Sequence, residues 1–142
     1  MAITQDICKS FKQEILVATH NLTAGQHAIR LALYSSTASL DSATGTYTSA
    51  GEVASSGSYT AGGSTLTNVT PALSGSVAIC DFNDLQYTSA TITARGAYMY
   101  NQTASNKGIA VLDFGADKTS TAGNFTIVFP TADSSNAIIR IA

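Results

Sequence analysis

Charge is what this chain has least of. Asp, Glu, Lys and Arg make up 11% of its 142 residues, against about 25% in an average globular chain. The 7 basic and 9 acidic residues leave a net charge of −2, with no basic run. A nucleic-acid binder needs clustered Lys or Arg to release phosphate counterions. Arg30, Arg95 and Arg140 instead stand far apart, each inside an apolar stretch. Direct binding to DNA or RNA is therefore not expected. These arginines could reach partner carboxylates or bridge acidic residues within the domain. Long apolar runs are also missing. No segment approaches the ~18 residues that span a bilayer, so no membrane contact is expected. Met1–Leu16 lacks a basic stretch followed by a continuous apolar one, which is the pattern of a secretory leader. The expectation is a protein made in the cytoplasm that leaves, if at all, within an assembled particle.

Cysteine and histidine are scarce too. Cys8 and Cys80 are too few for a disulfide framework. They read as reduced, buried thiols, Cys8 in a helix and Cys80 in a strand, since free cysteine behaves as a small hydrophobe. A bridge between them depends on a geometry that sequence does not supply. His20 and His27 are the only histidines. No serine elbow accompanies them, and no spacing of His with Cys or carboxylates suits a metal. His20 reads as a polar loop residue. Asp113-Phe114-Gly115 matches a kinase magnesium tripeptide by letters alone, without the glycine-rich loop and lysine that give it meaning. No catalytic residue, cofactor or metal is expected, and no enzyme.

Two acidic groups, Asp81-x-Asn83-Asp84 and Asp113-x3-Asp117, end adjacent strand candidates. Calcium needs six or more oxygens at denser spacing than this. Asp and Asn here read as turn-formers bonding their own backbone. Asn21, Asn68, Asn101 and Asn124 each begin an Asn-x-Thr triplet. In a chain so rich in Thr these read as chance glycosylation patterns.

Ser, Thr, Ala and Gly take the place of charge, and between them run short segments of period two. Ala90–Tyr100, Lys107–Phe114, Asn124–Phe129 and Ala137–Ile141 alternate apolar with polar residues. Such alternation puts successive side chains on opposite faces of a half-buried strand. Ala28–Tyr34, Ser64–Thr67 and Ser76–Phe82 add more strands, for eight to ten in all. In Ala28–Tyr34, Ile29, Leu31 and Leu33 point one way and Arg30, Ala32 and Tyr34 the other. Gly96 in mid-strand marks a bulge or a close backbone approach. Many short strands at close spacing make an all-β fold, a β-sandwich of jelly-roll-like topology. One domain over residues 1–142 is expected.

The N-terminus differs. Ile3, Ile7, Phe11 and Ile15 recur every fourth residue, with Cys8 and Leu16 beside them. That stripe predicts one amphipathic α-helix over about Thr4–Val17, capped by Thr4 with Asp6 in its first turn. It would cover an open end of the sandwich, which spans about 28–142, or lie against a neighbouring subunit. Ser35–Gly63 has only scattered anchors, Leu40, Tyr47, Val53 and Tyr59. It reads as two or three short strands, near Thr46–Ser49, Glu52–Ala54 and Ser58–Thr60, plus one exposed loop. The alternative is a long irregular arm. Tyr98 and Tyr100 share a strand face. They suit the core or an interface, where a large ring keeps one polar tip, or else a sugar platform.

Several segments taken together resemble a family of small virion structural proteins of tailed bacteriophages. They are Phe11–Leu16 with His20, Ala32–Val53, Tyr59–Gly63, Ile92–Asn101, Val111–Gly115, Thr119–Pro130 and Ile138–Ile141. Members are labelled head decoration, cement or tail proteins, and the resemblance covers nearly the whole chain. It implies a non-enzymatic particle component with no catalytic or cofactor residues. The leading expectation is a capsid decoration (cement) protein on the outer capsid surface of the virion. Its partners would be the major capsid protein and itself, as a homo-oligomer, dimer or trimer. A tail component (fibre, tail-tip or connector) and a carbohydrate-binding module are the alternatives. The expected contact elements are the helix and the Ser35–Gly63 segment, with Phe11, Ile15, Tyr47, Val53 and Tyr59 as partner-interface residues.

Overall fold

The computed structural model describes residues 2–142. The chain folds as an all-β sandwich with one N-terminal helix. Its elements are β1 (Asp6–Ile7), α1 (Lys9–Leu16), β2 (Ile29–Tyr34), β3 (Ser64–Thr65), β4 (Asn68–Ser74), β5 (Val77–Phe82), β6 (Leu85–Asn101), β7 (Lys107–Ile127) and β8 (Ile139–Ile141). They form a five-stranded sheet in the order β1-β7-β6-β2-β3 and a three-stranded sheet in the order β4-β5-β8. Every pairing within the two sheets is antiparallel.

The hairpin of β6 and β7 is the frame of the larger sheet. It closes at Asn101↔Lys107 and runs back to Leu85↔Ile127. Ser105 and Asn106 turn its tip with positive φ, a conformation Asn tolerates through local bonding of its side chain. The expected runs Lys107–Phe114 and Asn124–Phe129 prove to be the two ends of this single strand. Between them the sequence has no apolar alternation, but backbone pairing needs none. β7 follows β6 there by shifting register: Gly96 faces Asp113 while Ala94 faces Lys118. The slack loops out around Gly115, at φ 80°. Gly96 has both properties expected of it. It borders that shift, and a side chain there would run into the Leu112 carbonyl and Ile3.

The helix is shorter than its stripe predicts. Thr4 does not cap it, and Asp6 lies outside it. The Thr4 N–H bonds the Leu40 carbonyl at 2.9 Å, and the Cys8 N–H bonds that of Ile109 at 2.9 Å. Asp6 and Ile7 pair with Val111 and Ala110 on the edge of β7. Cys8 is the N-cap, without a side-chain cap bond. The open edge of β7 offered these residues tertiary bonds that outweigh helix propensity.

Ser35–Gly63 is the irregular arm, not a set of short strands. Only isolated bridges mark it: Leu40 with Ile3, Thr46 with Lys107, Glu52 with Tyr34, and Ser56 with Tyr59. The arm also explains why β2 breaks its expected alternation. Ala32 and Tyr34, on the face opposite Leu31 and Leu33, are as fully buried as those two. Tyr98 and Tyr100 stand on that same face, opposite Ala32 and Arg30, and the arm lies over it.

Candidate interaction surface

The arm is held by hydroxyl groups. Tyr34 donates to the Thr48 carbonyl, Tyr98 to that of Thr44 at 2.6 Å, and Tyr100 to that of Gly62. Arg30 reaches the carbonyls of Gly62 and Gly63. Within the arm, Glu52 collects three donors: the Tyr47 hydroxyl, the Tyr59 hydroxyl at 2.8 Å and the Gly62 N–H. Each ring supplies buried apolar area and one polar tip that must find a partner. Burial pushes all six tyrosine hydroxyls above their ordinary range. The tyrosines are thus structural, and Tyr98 and Tyr100 form no sugar platform: both are buried.

A second polar network anchors α1. Glu14 is buried and takes His20 Nε2 at 3.1 Å on one oxygen and Lys107 Nζ at 3.1 Å on the other. Burial alone would raise its carboxyl. The bonds from His20 and Lys107 outweigh that and hold it below its usual range. His20 Nδ1 lies 3.0 Å from the Asn101 amide nitrogen, which also lies 2.9 Å from His27 Nδ1. With Asn101 donating to both rings, the remaining proton of His20 sits on Nε2 and points at Glu14. His20 does lie in the loop that follows α1, but it is buried there, between α1 and the β6–β7 turn, with its ring tilted against that of Phe11 at 4.9 Å. The network joins two short segments, 14–27 and 101–107, that are distant in sequence, and its spacings match no catalytic or metal motif, so only the fold reveals it.

Beyond this anchor an apolar groove opens. One cavity of about 390 Å³ lies between α1 (Phe11, Ile15) and the smaller sheet (Ala78, Cys80, Ile139, Ile141). A second, also about 390 Å³, continues it past Leu16 and along β8. The groove floor follows from register. Leu73 faces Ala78 on β5, and Ala78 faces Ile141 on β8. Residues directly opposite in a ladder share a face, so these three form one apolar row. Two residues in, Cys80 and Ile139 on that face are buried. The row itself runs into the open: Leu73 is 75% exposed, Ile141 54%, and neighbouring Leu16 84%.

Of the five expected interface residues, Phe11 and Tyr59 are core, at 3% and 1% exposure. That removes Tyr59 as a contact, its hydroxyl being spent on Glu52 and on the Leu33 N–H, whereas Phe11, though buried, still lines the groove. Ile15 is half-buried and walls the groove, with Phe11 behind it. Tyr47 and Val53 are half-buried in the arm, remote from the groove lining. Leu16 stands beside the helix stripe read from the sequence, but nothing in the sequence joins Leu73 to Ile141, because a row across three strands exists only once the register is known.

The remaining candidates are internal. Arg95 pairs with Asp113 at 3.0 Å, and Arg140 donates to the Ser135 carbonyl. Asp113 accepts the backbone N–H of Gly115, two residues on, as a turn-former does, whereas Asp84 accepts that of Phe129, 45 residues away, and so ties two distant segments together instead of shaping its own turn. Asp81 is buried with one oxygen unpartnered, and burial raises its carboxyl. Among the described residues no three His, Cys, Asp or Glu side chains group to hold a metal. Asn68 and Asn101 are buried, and their amides are committed to Leu22 and the histidines. The thiols of Cys8 and Cys80 are free and buried, each pushed up to about 11 first of all by burial. Native protein at pH 8 should therefore resist a thiol reagent until it unfolds, and both should label together in denaturant. Fast labelling of either in the folded state would contradict the burial described. Comparison of the chain with protein-family models, with curated proteins and with solved structures finds no match.

Proposed function

We propose that this chain is a non-enzymatic structural component of a tailed-bacteriophage particle, a decoration (cement) protein of the capsid's outer surface. The observation that carries the reading is the exposed apolar groove beside α1, on a domain otherwise poor in charge. Contiguous apolar surface of this kind marks contact with other protein. The resemblance of the sequence to virion proteins supplies the setting. The mechanism is mass action: a clip that binds the assembled shell and not its free subunits stabilises the shell. Many copies on one lattice, each a symmetric oligomer bridging neighbouring major capsid proteins, add avidity.

The test is cryo-electron microscopy of the particle whose genome encodes the chain, with icosahedral averaging. Density for this sandwich on the outer shell is the expected result, with a gel band approaching that of the major capsid protein. A shell fully accounted for by other proteins would overturn the head reading. The chain would then be sought in the tail by asymmetric reconstruction.

A further inference from the structure

We propose that the groove between α1 and β8 receives an extended segment of the partner protein, with alternating apolar side chains and flanking carboxylates, which pairs with the free edge of β8. The inference rests on the reading that the chain packs against other protein, and it names the chemistry of that partner.

Three observations converge. The first is the backbone. β8 ends its sheet: Ile139, Arg140 and Ile141 pair with β5 on one side and with no strand on the other. Among the described residues no other backbone bond involves these three. A row of free N–H and C=O groups is a template for another strand. The opposite edge of the same sheet is guarded. β4 carries Pro71 and a register shift between Val69 and Ala72, devices that discourage pairing. β8 has neither.

The second is the apolar wall. Ile7, Phe11 and Ile15 face Ile139 and Ile141 across the gap. A strand added to β8 would send every second side chain into it, by the two-residue period of strands. An apolar alternate set fits the groove and a charged one does not.

The third is charge, which decides between occupants. Lys12 lines the gap and is exposed. It belongs to none of the salt bridges among the described residues, which join His20 and Lys107 to Glu14 and Arg95 to Asp113. Arg140, between Ile139 and Ile141, alternates to the other face of the sheet, where it donates to the Ser135 carbonyl. Glu14, the one acid of α1, is turned away into its own network. In a twofold contact with a second copy, the same patch meets itself, and Lys12 finds no carboxylate of the partner's α1 to pair with. A segment with carboxylates beside its apolar core meets Lys12 favourably.

The experiment uses the isolated chain and two synthetic peptides, Glu-Val-Thr-Ile-Thr-Val-Glu and the same sequence with Lys at both ends. Backbone amide shifts are followed by nuclear magnetic resonance. The Glu-flanked peptide should move resonances in residues 7–16 and 137–142, and bind about tenfold more tightly than the Lys-flanked one. Ile141→Glu, at an exposed position, should abolish the response. Lys12→Glu, also at an exposed position, should shift the preference toward the Lys-flanked peptide. No binding, equal binding, or shifts centred elsewhere would overturn the proposal. So would a dimer in sedimentation that Ile141→Glu splits, which would assign the groove to a second copy. Binding of sodium decanoate to the groove with no response to either peptide would assign it to a lipid. Failure here is separable from failure of the particle reading. Should the chain decorate the shell while Ile141→Glu decorates it equally well, the groove proposal falls and the particle reading stands. Should the peptide bind but the chain be missing from particles, the reverse holds.

Discussion

Raising the pH past 10 should unfold this domain in one steep transition, well before a typical protein of its size responds. Tyr34, Tyr59, Tyr87, Tyr98 and Tyr100 are buried, and burial raises the hydroxyl of each above the ordinary 10.0. In the unfolded chain these groups ionise near that ordinary value, while in the folded one they stay protonated. The folded state then holds more protons than the unfolded state, so stability falls as pH rises. The stabilisation is complete below about pH 10 and is lost as pH climbs from there toward the raised folded values. Each group contributes a slope of about 1.4 kcal/mol per pH unit while the pH lies between its unfolded and folded values. The three most strongly raised, Tyr34, Tyr59 and Tyr98, together give about 4 kcal/mol per pH unit, and Tyr87 and Tyr100 add to it at first. A domain stable by roughly 5–15 kcal/mol is exhausted within about one to four units. Cys8 and Cys80, raised to about 11, add in the same direction. The measurement is an alkaline titration followed by circular dichroism and by the tyrosinate absorbance band. The two should move together in one transition spanning less than a pH unit. Gradual appearance of tyrosinate with the dichroism unchanged would show that the rings ionise in place, and the packing described would be wrong.

The same rings explain why part of the fold was legible in the sequence and part was not. The first half of β6 announces itself because one buried face imposes a period of two there, and β2 and β5 do so as short apolar runs that are buried on both faces at their centres or ends. The arm has no such period. Its order comes from single hydroxyls reaching single carbonyls, Tyr98 to Thr44 and Tyr100 to Gly62, across long separations. Nothing local in Ser-, Thr- and Gly-rich sequence distinguishes an arm pinned this way from a mobile loop. The helix erred in the opposite sense. Its i+4 stripe is real, since Ile3, Cys8 and Phe11 are all buried, but strand pairing to β7 and a bond to Leu40 hold the first two outside the helix. Apolar spacing reports which residues are inside, and the backbone partner then decides the conformation. At the candidate surface, Ile15 was found because it lies on that stripe. Leu73 and Ile141 could not be, because cross-strand neighbours are set by register.

Replacing Glu52 by Ala should cost about 4 kcal/mol, more than any other single truncation in the arm, whereas Gln should cost about 1. The carboxylate accepts from Tyr47 on one oxygen and from Tyr59 and Gly62 on the other. None of the salt bridges includes it, so neutral donors alone hold it. Charge-assisted bonds of this kind are roughly twice as strong as neutral ones. Ala removes all three at once and strands the buried Tyr59 hydroxyl proton and the Gly62 N–H, whose desolvation then goes uncompensated. Gln keeps an acceptor for Tyr59 and Gly62, and its amide can donate to the Tyr47 oxygen, so the geometry survives while the charge is lost. Two readouts separate this from a general loss of packing. Urea unfolding gives the stability change. Limited chymotrypsin digestion reports opening of the arm, where Tyr47 and Tyr59 are the cleavable residues. If the arm opens by itself, the Ala variant should be cut there up to about a thousandfold faster, matching the lost stabilisation, while β6 and β7 stay intact. Global unfolding would instead expose every site together. An Ala variant within 1 kcal/mol of the parent, or a Gln variant as damaged as Ala, would mean that Glu52 is not the hub. The arm would then be held by the Tyr34, Tyr98 and Tyr100 hydroxyls, by Arg30 and by its backbone bonds to the sheet.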